Sequence, residues 1–144
     1  MTPTADLDEF IEEYHGSIEE VIRGNPEPQK KFWSRADDAT LANPLGPPGR
    51  GWQEISQRLD HACSLLRDGE AYRVDRISAY STEEVAWIVE IEQCRVKVAG
   101  AEEHSPSSLR ATTIFRREDG EWKIAHRHAD PITGAQSPES LIQE

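Results

Sequence analysis

Four ionisable side chains crowd the end of one short stretch. In "WKIAHRHADP", His126, Arg127, His128 and Asp130 fall within five residues. Each type suggests a chemistry. Imidazoles titrate near neutrality and serve as general acids and bases. A guanidinium offers a fixed donor fork that suits a carboxylate or another anion. Two histidines two positions apart could begin a metal site, but a third ligand is needed, and His15, His61 and His104 stand at no diagnostic spacing. No metal and no cofactor are therefore expected. Plainer roles compete with these. The histidines would be hydrogen-bonded at a subunit interface, and Arg127 would pair with Glu90 or Glu92 on a neighbouring strand. So many ionisable groups are costly to bury unless they are paired or face water or a ligand. The rim or floor of a ligand pocket meets that condition.

The stretch closes a hairpin. "LRATTIFRRE" and "EWKIAHRHAD" flank Asp119-Gly120, a two-residue turn signal of the type I′ kind. A regular ladder from that turn sets Phe115 opposite Ile124, Thr113 opposite His126, Thr112 opposite Arg127 and Arg110 opposite Ala129. One face then carries Trp122, Ile124, His126 and His128, and the other Arg127, Thr112 and Arg110. Neither face reads as a solvent face, so both should be covered. Helices would cover one and a second copy of the chain the other, which predicts a homodimer.

The elements that hold this hairpin are legible upstream. Leu7, Phe10, Ile11, Tyr14, Ile18, Val21 and Ile22 form one stripe of a helix over 5–23, ended by Gly24-Asn25-Pro26. Phe32 and Trp33 anchor a short second helix. Alternation around Ala39, Leu41 and Asn43 suggests a brief strand, followed by the breaker-rich loop "NPLGPPGRG". Trp52 to Leu66 repeats a helical stripe that stops near Asp68-Gly69. From Glu70 the chain is β, including the Val/Ile/Trp-rich "EVAWIVEIEQCRVKVAG". Three helices before a four-stranded antiparallel meander make an α+β fold, with residues 1–131 as one domain and 132–144 as a flexible tail.

Composition narrows the partners. The chain has 144 residues, 36% hydrophobic and 30% charged, with net charge −11. That acidity disfavours nucleic acid and anionic membrane surfaces. No apolar run approaches the ~18 residues of a membrane span. The acidic start "MTPTADLDEF" lacks the features of a secretory signal, so a cytoplasmic location is expected, with Cys63 and Cys94 as reduced, buried thiols.

"ADDATLANPLGPPGRG" resembles the "ADDATxxDP" segment and Gly/Pro loop of ketosteroid isomerases. "RxTxxFRREDGEWKIxHxHxD" is similar to the closing hairpin of SnoaL-like proteins and of the association domain of calcium/calmodulin-dependent kinase. All belong to the nuclear transport factor 2-like superfamily, and the resemblance spans roughly residues 7 to 131. It implies a cystatin-like cone, a bent sheet wrapped over a long helix with a pocket at the open end and a dimer through the sheet. In the isomerase register Arg110, Thr112, Arg127 and Ala129 line that pocket, which implies a small and preferably anionic ligand. If the strand bulges near Asp130-Pro131, the face of His126 and His128 turns inward instead. The isomerase chemistry itself does not carry over. Its base position holds Asn43, its acidic oxyanion donor position holds Thr112, and Tyr14 stands about a turn from the place of its tyrosine. Two functions remain in view. One is a small-molecule pocket, with a cofactor-independent isomerase, cyclase or dehydratase as its catalytic form; the other is a non-catalytic dimerisation or ligand-sensing module. A cavity with inward polar groups would mark the first, and one filled by Trp33, Trp52 and Trp87 the second.

Overall fold

The computed structural model describes residues 4–143. Residues 1–3 of the expected domain and Glu144 of the expected tail lie outside the described residues. The elements run α1 (Thr4–Ile22), α2 (Glu27–Lys30), β1 (Thr40–Ala42), β2 (Gly49–Arg50), α3 (Trp52–Ser64), β3 (Leu66–Ser81), β4 (Val85–Val98), β5 (Ser105–Glu118) and β6 (Glu121–Asp130). A single 3-10 turn, Pro138–Leu141, follows, with no buried residue. One six-stranded sheet has the order β2-β1-β6-β5-β4-β3. The expected meander forms its larger part, and β1 extends it by pairing parallel to β6, Thr40 beside His126 and Ala42 beside His128.

The apolar stripe of α1 lies against the concave face of this sheet. Leu7, Ile11, Tyr14 and Ile18 join Trp33, Leu41, Ile55, Leu59, Ile88, Phe115, Trp122 and Ile124 in one core. Phe10 and Tyr14 each meet Phe115 edge-on, with ring centroids 5.4 Å apart. Gly24 stops α1. Its φ of +94° suits glycine, and a Cβ there would lie 2.9 Å from the Leu66 carbonyl oxygen. The β5–β6 turn also fits its sequence, with Asp119 at φ 52° and Gly120 at φ 82°.

The hairpin does not keep the regular ladder expected of it. Phe115 pairs with Ile124, but the next pair is Ile114 with His126, so Ala125 is an extra residue on β6. Beyond this bulge Thr113 faces Arg127, Thr112 faces His128 and Arg110 faces Asp130. One inserted residue reverses the facing of everything after it, because side chains alternate with a period of two. Trp122 and Ile124 point inward before the bulge, and Arg127 and Ala129 point inward after it.

Candidate functional site

The concave face holds a cavity of about 240 Å³. Ile18, Val21 and Ile22 of α1 supply one wall, Leu59 and Ala62 of α3 another, and Val96, Leu109 and Ala129 of the sheet a third. Asn43, Pro44 and Leu45, from the loop after β1, also border it. Its polar groups are few. Glu92 on β4 and Arg127 on β6 are the charged ones, with Gln29, Tyr72 and Cys94 beside them.

Glu92 and Arg127 reach the same place for the same reason. Even-numbered residues of β4 face inward, so Glu90 and Glu92 fall in phase with buried Ala86, Ile88 and Val96. The bulge brings Arg127 to that face two strands away. Its Nη1 donates to Glu92 Oε2 at 2.8 Å and its Nη2 to Glu92 Oε1 at 2.7 Å. Nη1 also donates to the Tyr14 hydroxyl at 2.8 Å, which lies 2.8 Å from the Thr113 hydroxyl. Burial alone would weaken the Arg127 cation, but the adjoining Glu92 charge outweighs it and holds the guanidinium protonated well above its usual range. Burial pushes the Tyr14 hydroxyl up to about 12, so it stays neutral.

A second buried carboxylate sits nearby. Glu90 accepts hydrogen bonds from His15 Nε2 at 2.7 Å and Arg76 Nε at 3.1 Å. Burial would raise its pKa, and these two partners overcome that and lower it. Tyr72 differs from its neighbours. Its hydroxyl is buried and has no hydrogen-bond partner among the described residues. Burial, then the Glu92 charge, pushes its pKa far upward, so it is a permanent donor. Cys94 is likewise raised, chiefly by burial, and Cys63 is held at about 11 for the same reason; neither thiol is an activated nucleophile.

Of the residues singled out in the sequence, Arg127 and Asn43 border the cavity and the others do not. Arg110 and Thr112 stand on the outer face, opposite to the one expected, because β5 alternates regularly and buries Ala111, Thr113 and Phe115 instead. Arg110 Nε donates to Asp130 Oδ1 at 2.7 Å, on that same outer face. His126 and His128 are also outside. His126 Nδ1 lies 2.7 Å from the Thr40 hydroxyl, and His128 Nε2 is 3.3 Å from Asp130 Oδ2. The bulge falls at Ala125, well before Asp130-Pro131, so it keeps Arg127 inward, as the isomerase register implies, and leaves the histidines outward, unlike the alternative of a bulge at the strand end. Two arginines in one cavity were the ground for an anionic ligand. One of them is outside, and the other already has its carboxylate. Among the described residues no three His, Cys, Asp or Glu side chains converge as a metal site.

Sequence reading did not place Tyr14, Thr113 and Tyr72 at this site, nor the pairing of His15 with Glu90. A signal for the carboxylates was present: in "AWIVEIEQC" the two Glu keep the phase of the apolar positions.

The fold and the family agree. A family model of the SnoaL-like domain matches residues 9–132. No curated protein matches the chain. Among solved structures, it is similar to a candidate dehydratase of the nuclear transport factor 2-like family from Streptomyces avermitilis, with TM-score 0.73 and 19% identity over 92% of this chain and 100% of that one. A nuclear transport factor 2-like superfamily protein from Salmonella enterica gives TM-score 0.73 and 14% identity over 94% of each chain. A candidate calcium/calmodulin-dependent protein kinase type II association domain from Thiobacillus denitrificans gives 0.65 and 18%, covering 90% and 94%. These likenesses establish a shared fold, that of nuclear transport factor 2-like proteins, and the family match covers most of the sequence: the chain belongs to the family of SnoaL-like domains.

Proposed function

We propose that this protein binds a small organic molecule in the cavity between α1, α3 and the sheet. The observation that carries this reading is a space of about 240 Å³ with mostly aliphatic walls and a paired Arg127–Glu92 at one end. An engineered apolar cavity of about 150 Å³ accepts benzene, so the volume suits a compound somewhat larger than one ring. The tryptophans leave the space open: Trp33 is packed in the core, Trp52 does not border the cavity, and Trp87 is on the outer face. Binding is favoured over proton transfer. An isomerase, cyclase or dehydratase without a cofactor needs a group that takes and returns a proton. Glu92 is the carboxylate bordering the cavity, and Arg127 occupies both of its oxygens. The test is a thermal-shift screen of a metabolite library against the wild type and Ala129→Phe, which fills the space. Compounds that raise the melting temperature of the wild type alone support the reading. A library with no stabilising compound, or with the same ones for both proteins, contradicts it.

The assembly we propose is a homodimer through the outer face. There Tyr80 and Trp87 stack with centroids 4.4 Å apart, both substantially exposed, beside Val89, Ile91 and Ile114. A second copy presenting the same patch would cover this surface. Sedimentation at micromolar concentration should give twice 16.3 kDa; a species of 16.3 kDa alone would refute the dimer.

A further inference from the structure

We infer that the pocket takes an uncharged, largely apolar molecule whose carbonyl oxygen sits on the Nε–Nη2 edge of Arg127. This deepens the pocket reading above and depends on it. A guanidinium carries five N–H donors. Arg127 uses two on Nη1, to Tyr14 and Glu92, and one on Nη2, to Glu92. No atom among the described residues accepts from Nε–H or from the second Nη2–H. These two lie side by side on one edge of the planar group, while Glu92 occupies the end formed by Nη1 and Nη2. The Tyr72 hydroxyl, which also belongs to a residue of the cavity wall, is a third donor without an acceptor.

Three unclaimed donors at one polar end call for an acceptor. The Tyr72 hydroxyl does so above all, since it is buried and a buried donor without a partner costs stability. The charge of that acceptor follows from the pair already in place. Arg127 and Glu92 cancel, with side chains 10% and 5% exposed. A carboxylate ligand would leave the buried cluster with a net negative charge in apolar surroundings, which is costly. A carbonyl oxygen accepts two hydrogen bonds through its two lone pairs and adds no charge. The walls then require that the remainder of the molecule be hydrocarbon or aryl.

Three probes of one frame test this on the full chain: 2-acetylnaphthalene, 2-ethylnaphthalene and 2-naphthoate, titrated by protein-observed NMR. The ketone should bind at least tenfold tighter than the hydrocarbon, and the carboxylate no tighter than the hydrocarbon. The double variant Arg127→Met with Glu92→Leu removes both charges together, and the preference for the ketone should vanish. Arg127→Lys keeps a cation beside Glu92 but lacks the fork, so it should also lose the preference, and it serves if the double variant does not fold. A carboxylate that binds best, or a ketone preference that survives in both variants, overturns this inference and leaves the pocket standing. Failure of all three probes to bind overturns the pocket reading and this inference together.

Discussion

Two arginine–carboxylate pairs sit near the same end of the sheet and differ in almost every consequence. Arg127–Glu92 points into the cone, with side chains 10% and 5% exposed. Arg110–Asp130 points out of it, at 55% and 20%. Their shortest contacts are equal, 2.7 Å in each. Distance therefore says nothing about their worth. The outer pair works in water, where such bridges contribute little. The inner pair has been taken out of water, so each partner needs the other. What assigns the arginines to opposite faces is the single extra residue Ala125.

The contrast can be broken at its source. Inserting one alanine after Ala125 would turn over every residue from His126 to Asp130, burying two imidazoles and expelling the guanidinium from Glu92. The expected outcome is loss of the cooperative thermal transition. Deleting Ala125 regularises β6 yet leaves Arg127 in phase with Trp122 and Ile124, so the deletion should fold. Circular dichroism melts of the two variants separate these cases, and equal behaviour would refute the account of the bulge.

Removing one partner at a time gives the next largest effect. Arg127→Ala strands Glu92 in the interior and should cost about 3–5 kcal/mol. Arg110→Ala should cost at most about 1 kcal/mol. Urea denaturation measures both. A loss for Arg110→Ala that equals that for Arg127→Ala would contradict the assignment of faces.

The smallest effect concerns pH. Burial, then the charge of His128, lowers the pKa of His126 from its ordinary 6.5, and the Thr40 hydrogen bond offsets this only in part. Below about 6.5 the unfolded chain thus binds the proton more readily than the folded one. The stabilising contribution is full above 6.5 and is lost as pH falls towards the lowered folded value. Glu90, also lowered, loses its contribution only below its ordinary 4.5. The melting temperature should therefore begin to fall between pH 7 and 5, and by less in His126→Asn. An equal fall in both would remove His126 from the explanation.

Much of this molecule was legible in its sequence. The stripe of α1, the stop at Gly24 and the Asp119-Gly120 turn were plain because each rests on local periodicity or on glycine's freedom at positive φ. The bulge was not, because Ala125 is neither glycine nor proline and nothing local announces it; it is needed because Ile124 and Arg127 both face inward although they stand three residues apart. The inward facing of Arg127 followed from the resemblance, but without the bulge a regular ladder puts Arg110 and Thr112 on the same face as Arg127, which is where they were misplaced. Arg127 had been matched to Glu90 or Glu92, and the phase of β4 put both carboxylates inside, so that only the geometry could choose Glu92. The parallel pairing of β1 with β6 was equally hidden, since three residues of strand carry no mark of their partner.

The most direct measurement compares the two arginines in one experiment. In the full chain labelled with 15N at arginine side chains, the Nε–H resonances of Arg127 and Arg110 are assigned by substitution and followed as 2-acetylnaphthalene is added. The account predicts a saturable shift of the Arg127 Nε–H and a fixed Arg110 signal. A shift at Arg110 with Arg127 unmoved would contradict it.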